Sequence, residues 1–390
     1  MPTPLLRAML VAVTLSAGCS GTPWNNPYPA SEAGANILYT SFSERPKHLD
    51  PVQSYSENEY TLIANIYQPP LQYHYFKRPY ELVPFAATEV PRPEFFDAAG
   101  RRLPDTAEAK DVAYSDYVIH IRPGILYQPH PALAVDREGR SFYRDLKPRD
   151  LQGVNAIGDF KQTGTRELLA LDYVHQIKRL AHPHLHSPIM QLMGDYIVGL
   201  KELAQELAKA EKATGKEGAK DGFLDLTRFK LSGAEVVDRY TYRIRVHGKY
   251  PQFVYWLAMP FFAPVPPESD RFYAQPGMAE RNISLDWFPV GSGPYMLTVN
   301  NPNRQMVLER NPNYKGEVYP AEGEPGDAAA GLLKDAGKPL PFVDRVVFAL
   351  EKEQIPYWNK FLQGYYDASG ISSDTFDQAV QFSGDRKSVV

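Results

Sequence analysis

The sequence has very little cysteine: Cys19 is the single one among 390 residues. Such a chain forms no internal disulfide and depends on its hydrophobic core for stability. It also lacks an excess of either charge, with Lys+Arg 42 against Asp+Glu 46 and a net charge of −4. This balance gives no field that would attract nucleic acid or an anionic membrane surface, so we expect no nucleic-acid partner. Apolar residues make up 43%, beside 35 Pro and 25 Tyr, which predicts a globular chain with rigid loops and a polar cleft.

Motifs for catalysis are missing as well. The sequence contains no nucleophile elbow, no HExxH, no GK[ST] phosphate loop and no catalytic cysteine, and no carboxylate pair is singled out for acid–base work. His182, His184 and His186 alternate in HPHLH and would share one side of an extended loop. However, Pro183 and Pro188 predict a turn there, and no Cys or acidic residue is adjacent. We therefore predict no enzyme, no cofactor and no metal site.

The first residues, MPTPLLRAMLVAVTLSAGCS, have the layout of an export signal, with Arg7 before an apolar run too short to span a bilayer. The segment LSAGC resembles the lipobox of bacterial lipoproteins, although Ser16 stands where leucine is usual. The resemblance implies a signal peptide over 1–19, a lipid anchor at Cys19, and a periplasmic or cell-envelope location. An ordinary signal peptide with a chance cysteine is the alternative. Residues 20–36 are predicted to be a tether.

Hydrophobic periodicity predicts the main elements of secondary structure. Strands are predicted over 37–42, 117–127, 240–246, 295–299, 306–310 and 342–350, and helices over 57–67, 166–180, 197–213 and 355–364. The apolar stretch 253–266 is interrupted by Pro260 and is too short to span a membrane, so it is predicted to lie in the core.

The segment VGSGPYML predicts a sharp entry into a hairpin whose turn lies over 300–303. We expect Gly291 and Gly293 to adopt backbone angles closed to other residues. Pro294 fixes its own φ, so the chain would turn directly into Tyr295. This piece is predicted to build a site and to carry no chemistry.

The order of motifs between about 37 and 375 resembles solute-binding protein family 5, the extracytoplasmic binding proteins of peptide and nickel ABC importers. VGSGPY with LERNPNY is the strongest match, whereas YQPPL departs from the usual Tyr-Glu-Gly-Leu-Leu, and about 152–172 and 317–338 resemble insertions. The matching blocks are HLDP, ELVPFAA, YVIHIRPGI, KPRDL, IKRLAHP, AMPFFAPVPPE, VGSGPYML, MVLERNPNYKG, FVDRVVF and FLQGYYDAS.

The resemblance implies a mixed α/β fold, a clamp like that of type II periplasmic binding proteins. Lobe one would comprise 37–70 and 267–370, an inserted subdomain 71–266, and the start of a second lobe 371–390. The second lobe would then be largely missing, and we expect a truncated product.

The implied function is to bind oligopeptide-like or other small solutes, as a monomer, and to deliver them to ABC permease subunits in the membrane. A transport-incompetent envelope lipoprotein with an interaction or scaffold role is the alternative.

Three places match positions at which the family contacts ligand. For the first two, ordinary structural roles compete: a helix cap at Ser56 or Glu57, and a core position at Ile189. The predicted ligand contacts are Tyr55, Ser56 and Glu57 after HLDP, Ile189 after Ser187-Pro188, and Gly370, Ile371 and Ser372 before the second lobe.

Overall fold

The structure is a computed structural model that describes residues 26–213, 223–383 and 386–389. The predicted signal peptide, Cys19 and the first part of the predicted tether lie outside these residues. Within the described ranges, no helix is both long enough and apolar enough to cross a membrane.

Strands and helices alternate irregularly along the chain, with short 3₁₀ turns between them. The strands are β1 Ile37–Phe42, β2 Leu71–Tyr73, β3 Leu82–Pro84, β4 Glu94–Phe96, β5 Arg102–Leu103, β6 Tyr114–His120, β7 Ala234–Asp238, β8 Thr241–His247, β9 Tyr295–Asn301, β10 Gln305–Arg310, β11 Arg345–Leu350, β12 Val380–Ser383 and β13 Arg386–Val389. The α-helices are α1 Glu57–Ile63, α2 Ala170–Arg179, α3 Met190–Tyr196, α4 Leu200–Ala213, α5 Phe253–Trp256, α6 Pro267–Tyr273, α7 Gln354–Leu362 and α8 Phe376–Ala379.

Two larger sheets organise the fold. The first has the order β1-β11-β10-β9, in which β1 and β11 are parallel and the other pairs are antiparallel. The second is antiparallel, with the order β5-β4-β6-β8-β7, and α2 packs against β7 and β8. The shorter pairs are β2 with β3 and β12 with β13.

The two sheets share a continuous hydrophobic core. It extends from Leu297 and Phe348 in the first sheet, through Ile66 after α1, to Ile119 and Ile244 in the second sheet. The continuous core therefore packs both sheets against the segment that follows α1.

Most predicted elements are found, with shifted ends. β1 has the predicted bounds, but the helix predicted to reach 67 ends at Ile63, in a run of tight turns before Pro69. The helix predicted from 166 begins at Ala170, because the Asp172 carboxylate accepts the Leu169 N–H at 2.9 Å and so caps the helix there. The stretch 253–266 forms α5 and a 3₁₀ turn, Pro260–Phe262.

The predicted hairpin is present, but the reason expected for its two glycines was wrong. Neither Gly291 nor Gly293 has a φ in the left-handed region. Instead, a Cβ on Gly291 would lie 1.9 Å from the Ile66 carbonyl oxygen, and one on Gly293 would lie 2.6 Å from it. Only glycine lets these two backbone segments approach so closely.

Hydrogen bonds lock this close approach in place. The Gly293 N–H donates to the Ile66 carbonyl at 2.8 Å, and the Tyr295 N–H donates to the Asn65 carbonyl at 2.9 Å. Asn311, directly after β10, adds a further bond, because its side-chain amide donates to the Gly293 carbonyl at 3.0 Å. The turn between β9 and β10 lies over 302–304, slightly later than predicted. The motif therefore joins the end of α1 to the first sheet.

Candidate functional site

A cavity of about 450 Å³ opens where β1 ends and α1 begins. Its apolar floor is formed by Leu62, Met306 and Phe348. It lies at the carboxyl ends of the parallel strands β1 and β11, the edge at which α/β sheets commonly bind ligands. The polar part of the lining includes Ser41, Ser43, Glu44, Ser56, Glu57, Asn58, Thr61, Glu351 and Tyr357.

The loop before α1 is held in place by the buried carboxylate of Glu59. One of its oxygens accepts the N–H groups of Lys47 and His48 at 3.0 and 2.9 Å, and the other accepts those of Tyr55 and Ser56 at 3.0 and 3.2 Å. Burial alone would raise the pKa of Glu59, but these hydrogen bonds lower it below the usual value. Glu59 thus remains ionised and fixes the loop that forms one wall of the cavity.

The first turn of α1 is stabilised chiefly by Asn58. Its side-chain oxygen accepts the Glu59 N–H at 3.0 Å and the Ser56 hydroxyl at 2.6 Å, and its amide donates to the Glu44 carbonyl at 3.1 Å. Ser56 is the N-cap residue, as one of the two interpretations of the sequence proposed. These bonds join both sides of the cavity mouth.

The cavity carries negative charge that the described residues do not neutralise. The carboxylates of Glu44 and Glu57 are exposed, and neither has a hydrogen-bond or ion-pair partner among the described residues. Glu351, on the opposite wall, is already paired with Lys360 and Tyr366. Free carboxylates beside an apolar floor can accept hydrogen bonds from an amine while an apolar group packs below.

A buried ion network supports the loop from beneath. Arg179, only 1% exposed, contacts both carboxylate oxygens of Asp50 at 2.8 and 2.6 Å. Its Nε also contacts the Asp270 oxygens at 3.1 and 3.0 Å, and His175 Nε2 lies 2.8 Å from Asp270. Burial would raise the pKa of Asp270, but the charge of Arg179 and the contact with His175 hold it well below its usual value. The network ties the loop to α2 and α6.

Sequence reasoning assigned no role to Glu59, Asp50, Arg179 or Asp270. A signal for Glu59 is present, because Ser56 and Glu59 have the spacing of a capping box. Asp50 and Arg179 lie within the quoted blocks HLDP and IKRLAHP, but their pairing joins residues 129 positions apart. No local pattern predicts such a contact.

The predicted contacts in the first group are partly brought together. Ser56 and Glu57 line the cavity, whereas Tyr55 is 74% exposed and lies outside the lining, with its ring 6.1 Å from that of Phe261. Ile189 is 3% exposed and belongs to the core, before α3. Their roles in ligand binding stay predictions.

The third predicted place, Gly370, Ile371 and Ser372, lies outside the cavity lining. Ala368, two residues before Gly370, is nevertheless attached to the cavity wall, because its carbonyl accepts the hydroxyl of Tyr357 at 2.8 Å. The described residues contain no group of three or more His, Cys, Asp or Glu that could hold a metal ion. In the HPHLH segment, His184 is paired with Glu211.

Comparisons with known proteins bear on the family and the fold. The model of the bacterial extracellular solute-binding proteins, family 5 Middle, matches residues 163–388. No curated protein matches the chain.

Several solved structures are similar to this chain, and the chain spans about half of their length. DppA from Helicobacter pylori, an ABC transporter-associated periplasmic binding protein in complex with peptide STSA, is 15% identical, with a TM-score of 0.53, covering 90% of this chain and 50% of that one. OppA from Listeria monocytogenes, bound to peptide, is 14% identical, with a TM-score of 0.52, covering 88% and 48%. The pheromone receptor PrgZ is 16% identical, with a TM-score of 0.53, covering 89% and 50%. At this identity the likeness shows the fold, and the predicted mixed α/β fold of type II periplasmic binding proteins is confirmed.

Proposed function

The chain belongs to family 5 of the bacterial extracellular solute-binding proteins, and on this premise we propose that it is the substrate-binding component of an ABC importer for oligopeptide-like solutes. It would take up its solute outside the cytoplasmic membrane and deliver it to the permease subunits. The observation that carries the proposal is the cavity between β1 and α1, with the free carboxylates of Glu44 and Glu57 above an apolar floor. Two similar structures, those of DppA and OppA, hold a bound peptide, which supports the proposal.

The chemistry of the cavity is that of binding. Glu44 and Glu57 can accept hydrogen bonds from the ammonium group of a peptide, while Leu62 and Phe348 offer apolar surface to the adjacent side chain. Hydrogen bonds to charged groups contribute about 1.5–3 kcal/mol each. One such contact therefore changes affinity by at least about tenfold.

The remaining parts of the proposal concern the whole protein. We propose a monomer attached to a membrane through a lipid on Cys19, which becomes the N-terminal residue once the residues before it are removed. Lobe one would be formed by 37–70 and 267–370 and the inserted subdomain by 71–266, with 371–390 leading into a second lobe. The predicted export signal and the family support an extracytoplasmic location.

Calorimetric titration of the full chain with tripeptides to pentapeptides tests the proposal. We expect binding of free peptides, and about tenfold weaker binding once the peptide amine is acetylated, because acetylation removes its charge. Glu57→Gln should weaken the free peptide by a similar factor and leave the acetylated one unchanged. Glu280→Gln, at an exposed site outside the cavity lining, is the matched control. Absence of peptide binding, or equal binding of free and acetylated peptides, would contradict the proposal.

A further inference from the structure

A second cavity, of about 270 Å³, lies on the other side of α1, and five of its thirteen lining residues are aromatic. Tyr60, Tyr73 and Tyr75 line its exposed part, and Leu71 and Phe85 lie at its buried end. Pockets for whole drug-sized ligands occupy about 300–1,000 Å³. This cavity is slightly smaller, so it suits one ring or one side chain of a larger ligand.

The lining of this tyrosine cavity carries no ionisable group other than tyrosine among the described residues. Its polar members are Asn65 and Gln72, whose amide groups already donate to the Thr61 carbonyl and to Glu317. A charged group that entered would lose its hydration and would meet no counter-ion in the lining itself, which is unfavourable. The Glu317 carboxylate, outside the lining, already accepts hydrogen bonds from Gln72, Tyr75 and Tyr314. The cavity therefore favours an uncharged group.

Two of the three tyrosine hydroxyls at the mouth of the cavity are available to a ligand. Neither Tyr60 nor Tyr73 makes a side-chain hydrogen bond to another described residue, whereas Tyr75 donates to Glu317 at 3.1 Å. Burial, together with the nearby phenols of Tyr255 and Tyr60, raises the pKa of Tyr73, so the Tyr73 hydroxyl stays protonated at neutral pH. Three partly exposed aromatic rings thus converge at one place, and two of them, Tyr60 and Tyr73, have free hydroxyls.

Helix α1 places the two cavities a short distance apart. Glu57 and Thr61 line the first cavity, Tyr60 lines the second, and all three are exposed along one ridge of the helix. A helix with its side chains is about 10–12 Å wide. An extended chain advances about 3.3–3.6 Å per residue, so a peptide of about three or four residues can cross the ridge and reach both cavities.

We propose that the tyrosine cavity is a subsite for an uncharged aromatic side chain of the bound peptide, whose amine lies at Glu57 in the first cavity. The inference rests on the proposed function and specifies its substrate class. Aromatic rings pack favourably edge to face, and the existing pair Tyr73–Tyr80, with ring centroids 5.8 Å apart, already has this geometry. A phenylalanine ring would bury its surface among Tyr60, Tyr73 and Phe85.

The test compares tetrapeptides of alanine that carry one Phe, Leu, Lys or Glu, placed in turn at positions two, three and four. Calorimetry with the full chain should show one position at which Phe binds at least about tenfold more tightly than Lys or Glu. Tyr73→Ala should abolish this preference, and Tyr73→Phe should keep it. Tyr365→Ala is the matched control, because Tyr365 is 40% exposed, as against 39% for Tyr73, and lies outside both cavities.

The outcomes separate the subsite from the function on which it depends. If all tetrapeptides bind equally, the subsite is refuted while peptide binding stands. If Tyr73→Ala weakens every peptide by the same factor, its role is structural and the subsite is again refuted. If no peptide binds, the proposed function fails and the subsite fails with it.

Discussion

Replacing Gly291 with alanine should destabilise the protein by about 3 kcal/mol, the upper part of the range for overpacking a filled interior. The added Cβ would lie 1.9 Å from the Ile66 carbonyl oxygen, 2.6 Å from the Ile66 carbonyl carbon and 2.8 Å from its Cγ2. Two of these atoms belong to the backbone, so relief requires the chain itself to move. Such movement would stretch the bond from Gly293 N–H to Ile66 and that from Gln128 N–H to the Gly291 carbonyl, now 2.8 and 2.9 Å.

The assay is thermal and denaturant unfolding of the wild type beside two variants. The entropy of unfolding is about 2.1 cal/mol/K per residue, so in a chain of 390 residues a loss of about 3 kcal/mol should lower the Tm of Gly291→Ala by roughly 4 °C. Gly158→Ala is the matched control, because its Cβ would meet no atom within 4 Å and its φ is not in the left-handed region.

A Gly291→Ala variant as stable as Gly158→Ala would refute the reasoning, because it would show that the two backbone segments separate at little cost. A large loss in both variants would also refute it, since the loss would then not depend on the close approach to Ile66.

Two further predictions concern buried ionisable groups. Arg179→Met should cost about 3–5 kcal/mol at pH 7, because it leaves Asp50 and Asp270 buried without their cation. Chemical denaturation of this variant should show that loss, and a loss below about 1 kcal/mol would contradict the network. His130 is neutral, since its Nδ1 accepts the Ala132 N–H at 3.1 Å and burial lowers its pKa from 6.5 to about 3. The unfolded chain alone binds this proton between those values, so stability should fall as pH drops from 6.5 towards 3; unfolding titrations should show a weaker fall in His130→Gln, and equal slopes would argue against a buried neutral imidazole.

The sheet strands were predictable because their pattern is local. Residues 37–42, ILYTSF, are mostly apolar and are followed by a polar loop, and the alternation on either side of Pro302 predicts β9 and β10. The same local information misplaced the end of α1, which passes into tight turns before Pro69, and the start of α2, where the Asp172 carboxylate accepts the Leu169 N–H.

The supports of the candidate site were less predictable, because they depend on contacts between distant segments. Glycine is required at position 291 because the backbone of Ile66, which is far away in the sequence, approaches it closely. The pairing of Arg179 with Asp50 likewise has no local signature in the sequence. Ser56 and Glu57 were found through a family resemblance, and the geometry places both in the cavity lining. Glu59 follows Ser56 at the spacing of a capping box, so its bond to the Ser56 N–H was predictable from the sequence.

The most direct test of the account is hydrogen–deuterium exchange of the full chain with and without a peptide that binds, using its N-acetylated form as the control. The account predicts slower exchange in the segments that border the cavity, 41–46, 56–62 and 351–357, and a smaller effect with the acetylated peptide. Protection confined to other segments, or none at all, would contradict the claim that the cavity between β1 and α1 is the peptide-binding site.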